Sequence, residues 1–226
     1  FITGDCYIDS PYCGVALLGK YLMKKGFTVG IISQPRLETD EDILKLGIPK
    51  LFWGITAGTV DSMVANYTPL LKKRKSDDFT PGGINNKRPD RATIAYTNLV
   101  KRFDHTKKTI VIGGIEASLR RIAHYDYWDD KIRRSILLDS KADMLVYGMG
   151  ELTCLELAQR LSRNMDYRNI RGLCYIDKNP KDEYLPLPSF EDVSTDKEKF
   201  IEMFKIFYEN NDPLTAKGLY QKHSDR

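Results

Sequence analysis

The feature that most constrains the fold is a series of short apolar runs that alternate with stretches of helical periodicity. Short runs that are apolar on both faces are typical of strands buried on both sides of a parallel sheet. The segments between them repeat apolar residues about every three to four positions, which predicts helices. The predicted sheet strands are 1–2, 28–33, 51–56, 109–112 and 142–147, with a last strand at 172–176, and the predicted helices are 15–23, 59–67, 92–103, 117–123, 132–138, 151–162 and 196–208.

This alternation predicts an α/β domain in which a parallel sheet of about five strands is flanked by helices, as in flavodoxin-like folds. Hydrophobic residues make up 42% of the chain, which is enough to bury a core. In sheets of this kind, ligands bind outside the carboxyl ends of the strands. The loops that follow the strands are therefore where a binding site is expected.

Four of the predicted strand ends carry glycine or small polar residues. Glycine lets the backbone approach a ligand closely, but a tight strand-to-helix turn needs glycine in any case. Four such turns along one sheet edge favour a shared pocket over four unrelated turns. The residues predicted to bind a cofactor there are Asp5, Thr56, Gly58, Gly113, Gly114, Gly148, Gly150 and Glu151.

Two common phosphate-binding motifs are absent from these turns. The GMG sequence at 148–150 lacks the third glycine of a dinucleotide-binding fingerprint, and no G-x4-G-K-[ST] sequence occurs. The sequence therefore supports neither a dinucleotide site of that type nor a P-loop.

The helix that follows Gly113-Gly114 opens with Glu116 and carries Ser118, Arg120 and Arg121. A helix N-terminus with a nearby hydroxyl and two guanidinium groups can bind an anion, so these four residues join the predicted cofactor site. The alternative is that Ser118 caps the helix and the arginines pair with Glu116 or face solvent. The sequence leaves both readings open.

The segment from His124 to Asp129 mixes aromatic rings with carboxylates. Such a surface suits a flat ligand or a protein contact, and a histidine can act as an acid, a base or a ligand. His124, Tyr125, Asp126 and Trp128 are therefore predicted to contact substrate. The alternative is a structural cluster, and the spacing matches no standard zinc site.

Residues 68–91 form a long segment with little periodicity, of the kind that is usually functional or disordered. Between residues 72 and 134 there are 16 Lys and Arg against 8 Asp and Glu, although the whole chain has a net charge of only +4. The basic excess suits a phosphate, a nucleic acid or a cofactor tail. For the run at 72–75 we favour a solvated surface.

The four cysteines, Cys6, Cys13, Cys154 and Cys174, show no C-x2-C spacing. So few cysteines in a chain of this length predict a reducing, cytoplasmic location and no metal site in this chain. No apolar run approaches the roughly 20 residues that span a bilayer, so we expect no membrane association. Because residue 1 is not Met, we also expect the chain to start inside a longer protein.

Several longer strings resemble the YgiQ family of radical S-adenosylmethionine proteins. The similarity runs over nearly the whole chain, and the strings are long and rare. They are TPGG at 80–83, RPDRAT at 88–93, GGIEASLRR at 113–121, AHYDYW at 123–128 and DSKADM at 139–144.

The resemblance implies that a radical core follows this chain and that residues 220–226 approach it. Such a core holds a 4Fe–4S cluster through three cysteines and binds S-adenosylmethionine. The C-x3-C-x2-C motif of the family is absent here, so we expect no cluster on this chain and no catalysis by it alone. The reaction of the family does not follow from the resemblance.

The segments are also similar to the cobalamin-binding-type domain that precedes many radical cores. The Asp-x-His-x-x-Gly motif, which supplies a cobalt-ligating histidine in some of those domains, is absent. We therefore predict a domain over residues 1–178 and, over 179–226, a linker and helix leading to the core. The domain would position substrate or cofactor; the alternatives are a nucleic-acid-binding module of an RNA-modifying enzyme and a stand-alone small-molecule binder.

Overall fold

A computed structural model describes residues 1–212 and 214–224 of the chain. These residues form two compact units, of which the first contains residues 1–121 and 136–175. The second contains residues 122–135 and the described residues from 176 onward. The expected boundary at residue 178 lies near the change of unit after residue 175, and the last two residues of the predicted C-terminal segment lie outside the described residues. The division into functional domains stays a prediction.

The secondary structure alternates strands and helices for most of the described chain. The strands are β1 (Ile2–Thr3), β2 (Ile32–Ser33), β3 (Phe52–Thr56), β4 (Thr109–Gly113), β5 (His124–Asp126), β6 (Lys131–Arg133), β7 (Met144–Val146), β8 (Leu173–Tyr175), β9 (Leu185–Leu187) and β10 (Leu219–Gln221). The helices are α1 (Gly14–Lys24), α2 (Glu41–Leu44), α3 (Ser62–Asn66), α4 (Ala92–Phe103), α5 (Gly114–Leu119), α6 (Ile136–Ser140), α7 (Glu151–Ser162), α8 (Phe190–Thr195) and α9 (Lys197–Glu209).

The first unit is built on a six-stranded sheet in the order β2-β1-β3-β4-β7-β8. The strand pairs from β2 to β7 are parallel, whereas the edge strand β8 runs antiparallel to β7. The predicted α/β fold with a mostly parallel sheet is confirmed. The strand predicted at 28–33 is shorter, because only Ile32 and Ser33 pair with β1.

Alternate residues of the strands serve two separate cores, one on each face of the sheet. Trp53, Ile55 and Ile112 pack with Tyr96 and other residues of α4 and α6 on one face. On the other face, the apolar side chains of β4 and β7 pack with α7 and with Leu18 of α1. Period-two alternation within each strand produces this division, so the face that carries α1 and α7 is distinct from the face that carries α4.

The chain leaves β1 in one direction along the sheet and leaves β3 in the other. It passes from β1 through α1 to the edge strand β2, then returns to β3 on the far side of β1 and continues to β4 and β7. Ligands in open α/β sheets bind where the strand order reverses in this way. The loops after β1 and β3 flank this point.

The second unit contains an antiparallel hairpin of β5 and β6, a parallel pair of β9 and β10, and helices α8 and α9. The helix predicted at 196–208 is confirmed as α9, whose first turn is capped by the Asp196 carboxylate.

The helix predicted at 132–138 was wrong over its first half, because Lys131–Arg133 pair with β5 and the helix begins only at Ile136. The helix predicted at 117–123 begins and ends earlier, as α5.

Across the described ranges, every helix is too short or too polar to cross a membrane.

Candidate ligand cavity at the carboxyl edge of the sheet

A cavity of about 290 Å³ lies in the first unit, on the sheet face that carries α1 and α7. Its walls come from the ends of β1, β3, β4 and β7, from the loops that follow them and from the first turns of α1 and α7. The predicted site residues that line it are Asp5, Thr56, Gly58, Gly113, Gly114, Gly148, Gly150 and Glu151. All the strand-end residues named from the sequence therefore meet at one cavity, and their role in binding stays a prediction.

Sequence reasoning missed the wall that α1 provides. Cys13, Gly14, Val15 and Leu18 all line the cavity. The helical pattern of this segment identified it as a packed helix but gave no sign that its first turns border a space.

Two glycines at the edge are required by close packing between loops. Gly58 has a φ of +112°, and a Cβ there would lie 2.1 Å from a carboxylate oxygen of Asp5. Gly114 has a φ of +82°, and a Cβ there would lie 2.3 Å from the hydroxyl oxygen of Thr56. Both positions demand glycine for the fit of one strand-end loop against the next, independently of any ligand.

Asp5 is bonded on both carboxylate oxygens. Arg88 donates to one oxygen at 2.5 Å, and the backbone N–H of Thr59 donates to the other at 2.5 Å. The side chain of Arg88 is fully buried, and that of Asp5 is almost so. This ion pair joins the end of β1 to the loop after β3 and to the 68–91 segment.

The 68–91 segment is an ordered loop that Arg88 anchors from the inside. Besides Asp5, Arg88 contacts the buried Asp77 at 3.4 Å and donates to the carbonyl of Gly4 at 3.2 Å. Gln34 donates to the Thr80 hydroxyl at 2.7 Å, and so ties the same loop to β2. Sequence reasoning named the string that contains Arg88 but not its role, because the partners lie up to 84 positions away along the chain.

Glu116 does not line the cavity and is buried behind it. One carboxylate oxygen accepts from the backbone N–H and the hydroxyl of Ser62, at 2.8 and 2.5 Å, and the other accepts from the N–H of Thr93 at 3.0 Å. Ser62 and Thr93 lie in the first turns of α3 and α4, where a negative charge is stabilised by the unpaired N–H groups. Glu116 therefore fastens two helix N-termini to α5.

The two arginines after Glu116 also make internal contacts. Arg120 pairs with Asp61, the residue that caps α3. Arg121 lies over the ring of Tyr147, 4.6 Å from its centroid, and burial lowers the pKa of its guanidinium. Neither arginine lines the cavity. Of the two alternatives left open by the sequence, pairing with a carboxylate is seen for Arg120, but its partner is Asp61 rather than Glu116.

Ser118 bridges two of the strand-end loops without lining the cavity. Its hydroxyl donates to the carbonyl of Gly114 at 2.7 Å and accepts from the N–H of Gly148 at 3.1 Å. Ser118 lies in the body of α5 and does not cap it. Because Gly114 and Gly148 both line the cavity, Ser118 holds two of its walls at a fixed separation.

Among the residues that line the cavity, Glu151 has the carboxylate with the fewest partners. It stands in the first turn of α7 and is partly exposed, and its side chain makes no hydrogen bond or ion pair with any other described residue. The helices α1 and α7 both begin at the cavity, and neither has a side-chain cap. The mouth therefore offers one carboxylate and several backbone N–H groups.

The predicted substrate-contact residues lie in the second unit. His124, Tyr125 and Asp126 form β5, and Trp128 lies in the turn to β6. The buried Asp126 accepts from the backbone N–H of Trp128 at 3.0 Å, and the exposed Tyr125 donates its hydroxyl to Asp130 at 2.6 Å. These contacts shape the hairpin, and its role in substrate binding stays a prediction.

The cysteines are all free thiols. Cys13 and Cys154 line the cavity, and burial raises the pKa of the Cys154 and Cys174 thiols to about 12. Among residues 1–212 and 214–224, no group of three or more His, Cys, Asp or Glu side chains is placed to hold a metal ion.

The fold and the cavity define an open α/β domain with a ligand-sized space at the carboxyl edge of its parallel strands. The sequence matches the family described as Radical SAM N-terminal over residues 1–226, so the chain belongs to this family. It is 56% identical over its full length to a UPF0313 protein of Fusobacterium nucleatum and 54% identical to one of Thermotoga neapolitana. In both comparisons the chain spans 40% of the relative's length. The resemblance predicted from the sequence is confirmed.

The fold is similar to part of a solved radical S-adenosylmethionine methyltransferase, TsrM from Kitasatospora setae. With the structure that has cobalamin and a [4Fe-4S] cluster bound, the TM-score is 0.52 at 18% identity, over 78% of this chain and 26% of that one. A second TsrM structure, with tryptophan substrate and an S-adenosylmethionine analogue bound, gives a TM-score of 0.51. At this identity the similarity supports the fold alone.

Proposed function

We propose that this chain is the N-terminal accessory domain of a radical S-adenosylmethionine enzyme and that its cavity positions a substrate or a cofactor for the radical core. The observation that carries the proposal is the cavity itself, at the carboxyl edge of the parallel strands and beside the reversal in strand order. This is the place where open α/β sheets bind their ligands.

The remainder of the enzyme would supply the chemistry. The relatives are longer proteins in which this region is about 40% of the length, and radical cores carry their cluster on three cysteines. The four thiols of this chain are not grouped for that purpose. The role left for the chain is to bind, orient and shield a ligand while the core reacts with it.

The lining residues fit part of a large cofactor better than a complete one. The cavity holds about 290 Å³, which is at the lower end of the range of about 300–1,000 Å³ for ligand pockets. No histidine lines it, so the cavity does not fit a cobalamin that takes an axial imidazole from this domain. A cobalamin bound here would rely on the glycines and apolar side chains of the lining.

The test is to fill the cavity with a larger side chain and to measure which small molecules the purified protein still retains. Gly14 lines the cavity, and a Cβ added there would meet nothing within 4 Å. Gly14→Leu is therefore expected to occupy space without a clash. Lys24→Leu adds the same side chain at the exposed far end of α1 and serves as the matched control.

Full-length wild type and both variants are purified without oxygen, and the small molecules they release are identified by mass spectrometry. We expect a compound retained by wild type and Lys24→Leu to be reduced about tenfold or more in Gly14→Leu. Iron and sulfide content should be equal in all three. Equal retention of every compound by Gly14→Leu would refute the proposed role of the cavity.

A second candidate function, a nucleic-acid-binding module, is favoured by one observation. Lys72, Lys73, Lys75 and Lys87 are exposed on the ordered 68–91 loop. A basic loop of this kind can contact phosphates, and such binding weakens steeply as salt rises. A filter-binding titration of the full-length protein with RNA at increasing salt tests this candidate, and binding that loses no strength with salt would argue against it.

A further inference from the structure

The polar atoms of the cavity lining are largely bonded within the protein. The two carboxylate oxygens of Asp5 are occupied by Arg88 and by the N–H of Thr59. The hydroxyl of Thr56 accepts from the N–H of Gly58 at 3.2 Å. A ligand in the cavity would consequently meet mostly apolar atoms, since a polar group that is already satisfied gains little from a second partner.

The charged side chains of the lining disfavour an anionic ligand group. Among the described residues, no Lys, Arg or His lines the cavity, and the two lining carboxylates are those of Asp5 and Glu151. The charge of Asp5 is compensated by Arg88, whereas Glu151 has no partner among the described residues. A phosphate or carboxylate would find no cation and would face Glu151, which disfavours it.

The shape of the lining favours a flat group. On the sheet side, Val111 and Val146 line the space, and the ring of Phe1 covers Gly54, where a Cβ would lie 2.3 Å from Phe1 Cδ1. On the helix side, the wall is made by apolar residues of α1 such as Leu18. A volume of about 290 Å³ between such surfaces suits one ring or two fused rings more than a whole nucleotide or corrinoid.

We propose that the cavity binds an uncharged, flat ring system whose polar edge donates a hydrogen bond to Glu151. This inference rests on the proposed function and names the chemical class of the ligand, or of the ligand part, that enters the cavity. The uncapped N–H groups at the starts of α1 and α7 would donate hydrogen bonds to a neutral carbonyl oxygen or ring nitrogen on the same edge.

The experiment compares three probes on the full-length protein by equilibrium dialysis. Indole is an uncharged bicyclic ring with an N–H donor, benzofuran has the same shape without the donor, and inorganic phosphate is the anion. The variants are Gly14→Leu, which fills the cavity, Lys24→Leu, its matched control, and Glu151→Ala, which removes the acceptor. Leu18→Phe is a second filling variant in case Gly14→Leu does not fold.

We expect indole to bind wild type and Lys24→Leu equally and to bind either filling variant at least about tenfold more weakly. Benzofuran should bind wild type roughly tenfold more weakly than indole, because it cannot donate to a charged acceptor. In Glu151→Ala this difference between the two rings should disappear. Any binding of phosphate should be equally strong in wild type and in the variants that fill the cavity.

Two results would overturn the inference. If phosphate bound and Gly14→Leu abolished it, the ligand class would be wrong while the cavity remained a binding site. If neither ring was affected by the filling variants, the cavity would not take such a group. The proposed function fails separately, only if the compounds retained by the purified protein are also unaffected by Gly14→Leu.

Discussion

The loops at the carboxyl edge of the sheet build two regions of opposite character. In the buried support region, Arg88 pairs with Asp5 and Asp77, and Glu116 receives hydrogen bonds from two helix N-termini. In the cavity region, glycines and apolar residues border a space, and Glu151 carries the one carboxylate that has no partner among the described residues. The two regions share Asp5, which lines the cavity but whose carboxylate oxygens are bonded to Arg88 and to the backbone N–H of Thr59.

The difference shows how charged residues near a cavity divide between support and recognition. Most charges named from the sequence hold loops together, since a buried charge is stable only when it is paired and hydrogen-bonded. The cavity wall is left apolar as a result. A site predicted from charged residues alone would have been centred on the support region.

The largest effect should come from breaking the support region at Arg88. Arg88→Met leaves the carboxylates of Asp5 and Asp77 buried without their cation, and we expect it to lower the free energy of unfolding by about 3–5 kcal/mol. Urea-induced unfolding measures the change.

The matched control is Arg36→Met. Arg36 also contacts two carboxylates, those of Glu41 and Asp42, but all of these groups are at the surface. Exposed pairs contribute little, so its urea midpoint should stay close to that of wild type. If the two substitutions had equal effects, the contrast between a buried support region and ordinary surface pairing would not hold.

A smaller effect is expected at Glu116. Glu116→Gln removes the charge that faces the first turns of α3 and α4 and replaces one acceptor by an amide group, at a cost of about 2–3 kcal/mol. Glu151→Gln, the control in the cavity region, changes a side chain without a partner among the described residues and removes only its charge from the first turn of α7, so it should lower stability by no more than about 0.5 kcal/mol. Thermal unfolding of both variants makes the comparison, and an equal loss from Glu151→Gln would contradict it.

The sequence was a good guide to the strands and to the residues that follow them. Short β-branched runs such as Thr109–Ile112 predict buried strands because few other structures tolerate them, and parallel order brings their ends together. The antiparallel edge strand β8 and the β5–β6 hairpin were less predictable, since the direction of a short edge strand depends on contacts distant in sequence.

The support region could not be predicted for a related reason. The ion pair of Arg88 with Asp5 joins residues 83 positions apart, and no local pattern marks either one as a partner of the other. Glu116 was placed in the predicted cofactor site because it lies near the start of the helix that follows Gly113-Gly114, but its partners Ser62 and Thr93 come from two other helices. The cavity wall formed by α1 was missed because a helix that packs against the core and a helix that borders a cavity have the same spacing of apolar residues.

The raised pKa values of the Cys154 and Cys174 thiols predict a loss of stability in alkaline solution. Burial raises the pKa of Cys154 and Cys174 from 9.0 to about 12. Below pH 9 the thiols are protonated in both states; above it the unfolded chain releases protons that the folded chain keeps, so stability falls between about pH 9 and 12. The loss should be roughly 1 kcal/mol per thiol at pH 10.

Urea midpoints at pH 8 and pH 10, for wild type and for the Cys154→Ala variant, measure this loss. The variant should show a smaller decrease between the two pH values, whatever its stability at pH 8. A decrease of equal size in both proteins would mean that the Cys154 thiol titrates normally in the fold.

The smallest effect on stability is expected on the surface of the 68–91 loop. Replacing Lys72, Lys73 and Lys75 together by Ser alters exposed side chains for which the structure shows no ion pair, so the unfolding free energy should change by less than about 0.5 kcal/mol. If the same variant lost salt-dependent RNA binding, the loop would serve a nucleic acid; if RNA binding was absent or unchanged, the basic run is a solvated face.

The most direct test of the account is an experimental structure of the full-length protein purified without oxygen and with its own ligand retained. We expect a flat, uncharged group to lie between α1 and the sheet, against Val111 and Val146, with its polar edge at Glu151. Arg88 and Glu116 should keep their internal bonds and not touch it. A ligand bound instead by Arg88, Glu116 or Arg120, with the cavity closed by protein side chains, would contradict the division between support and recognition.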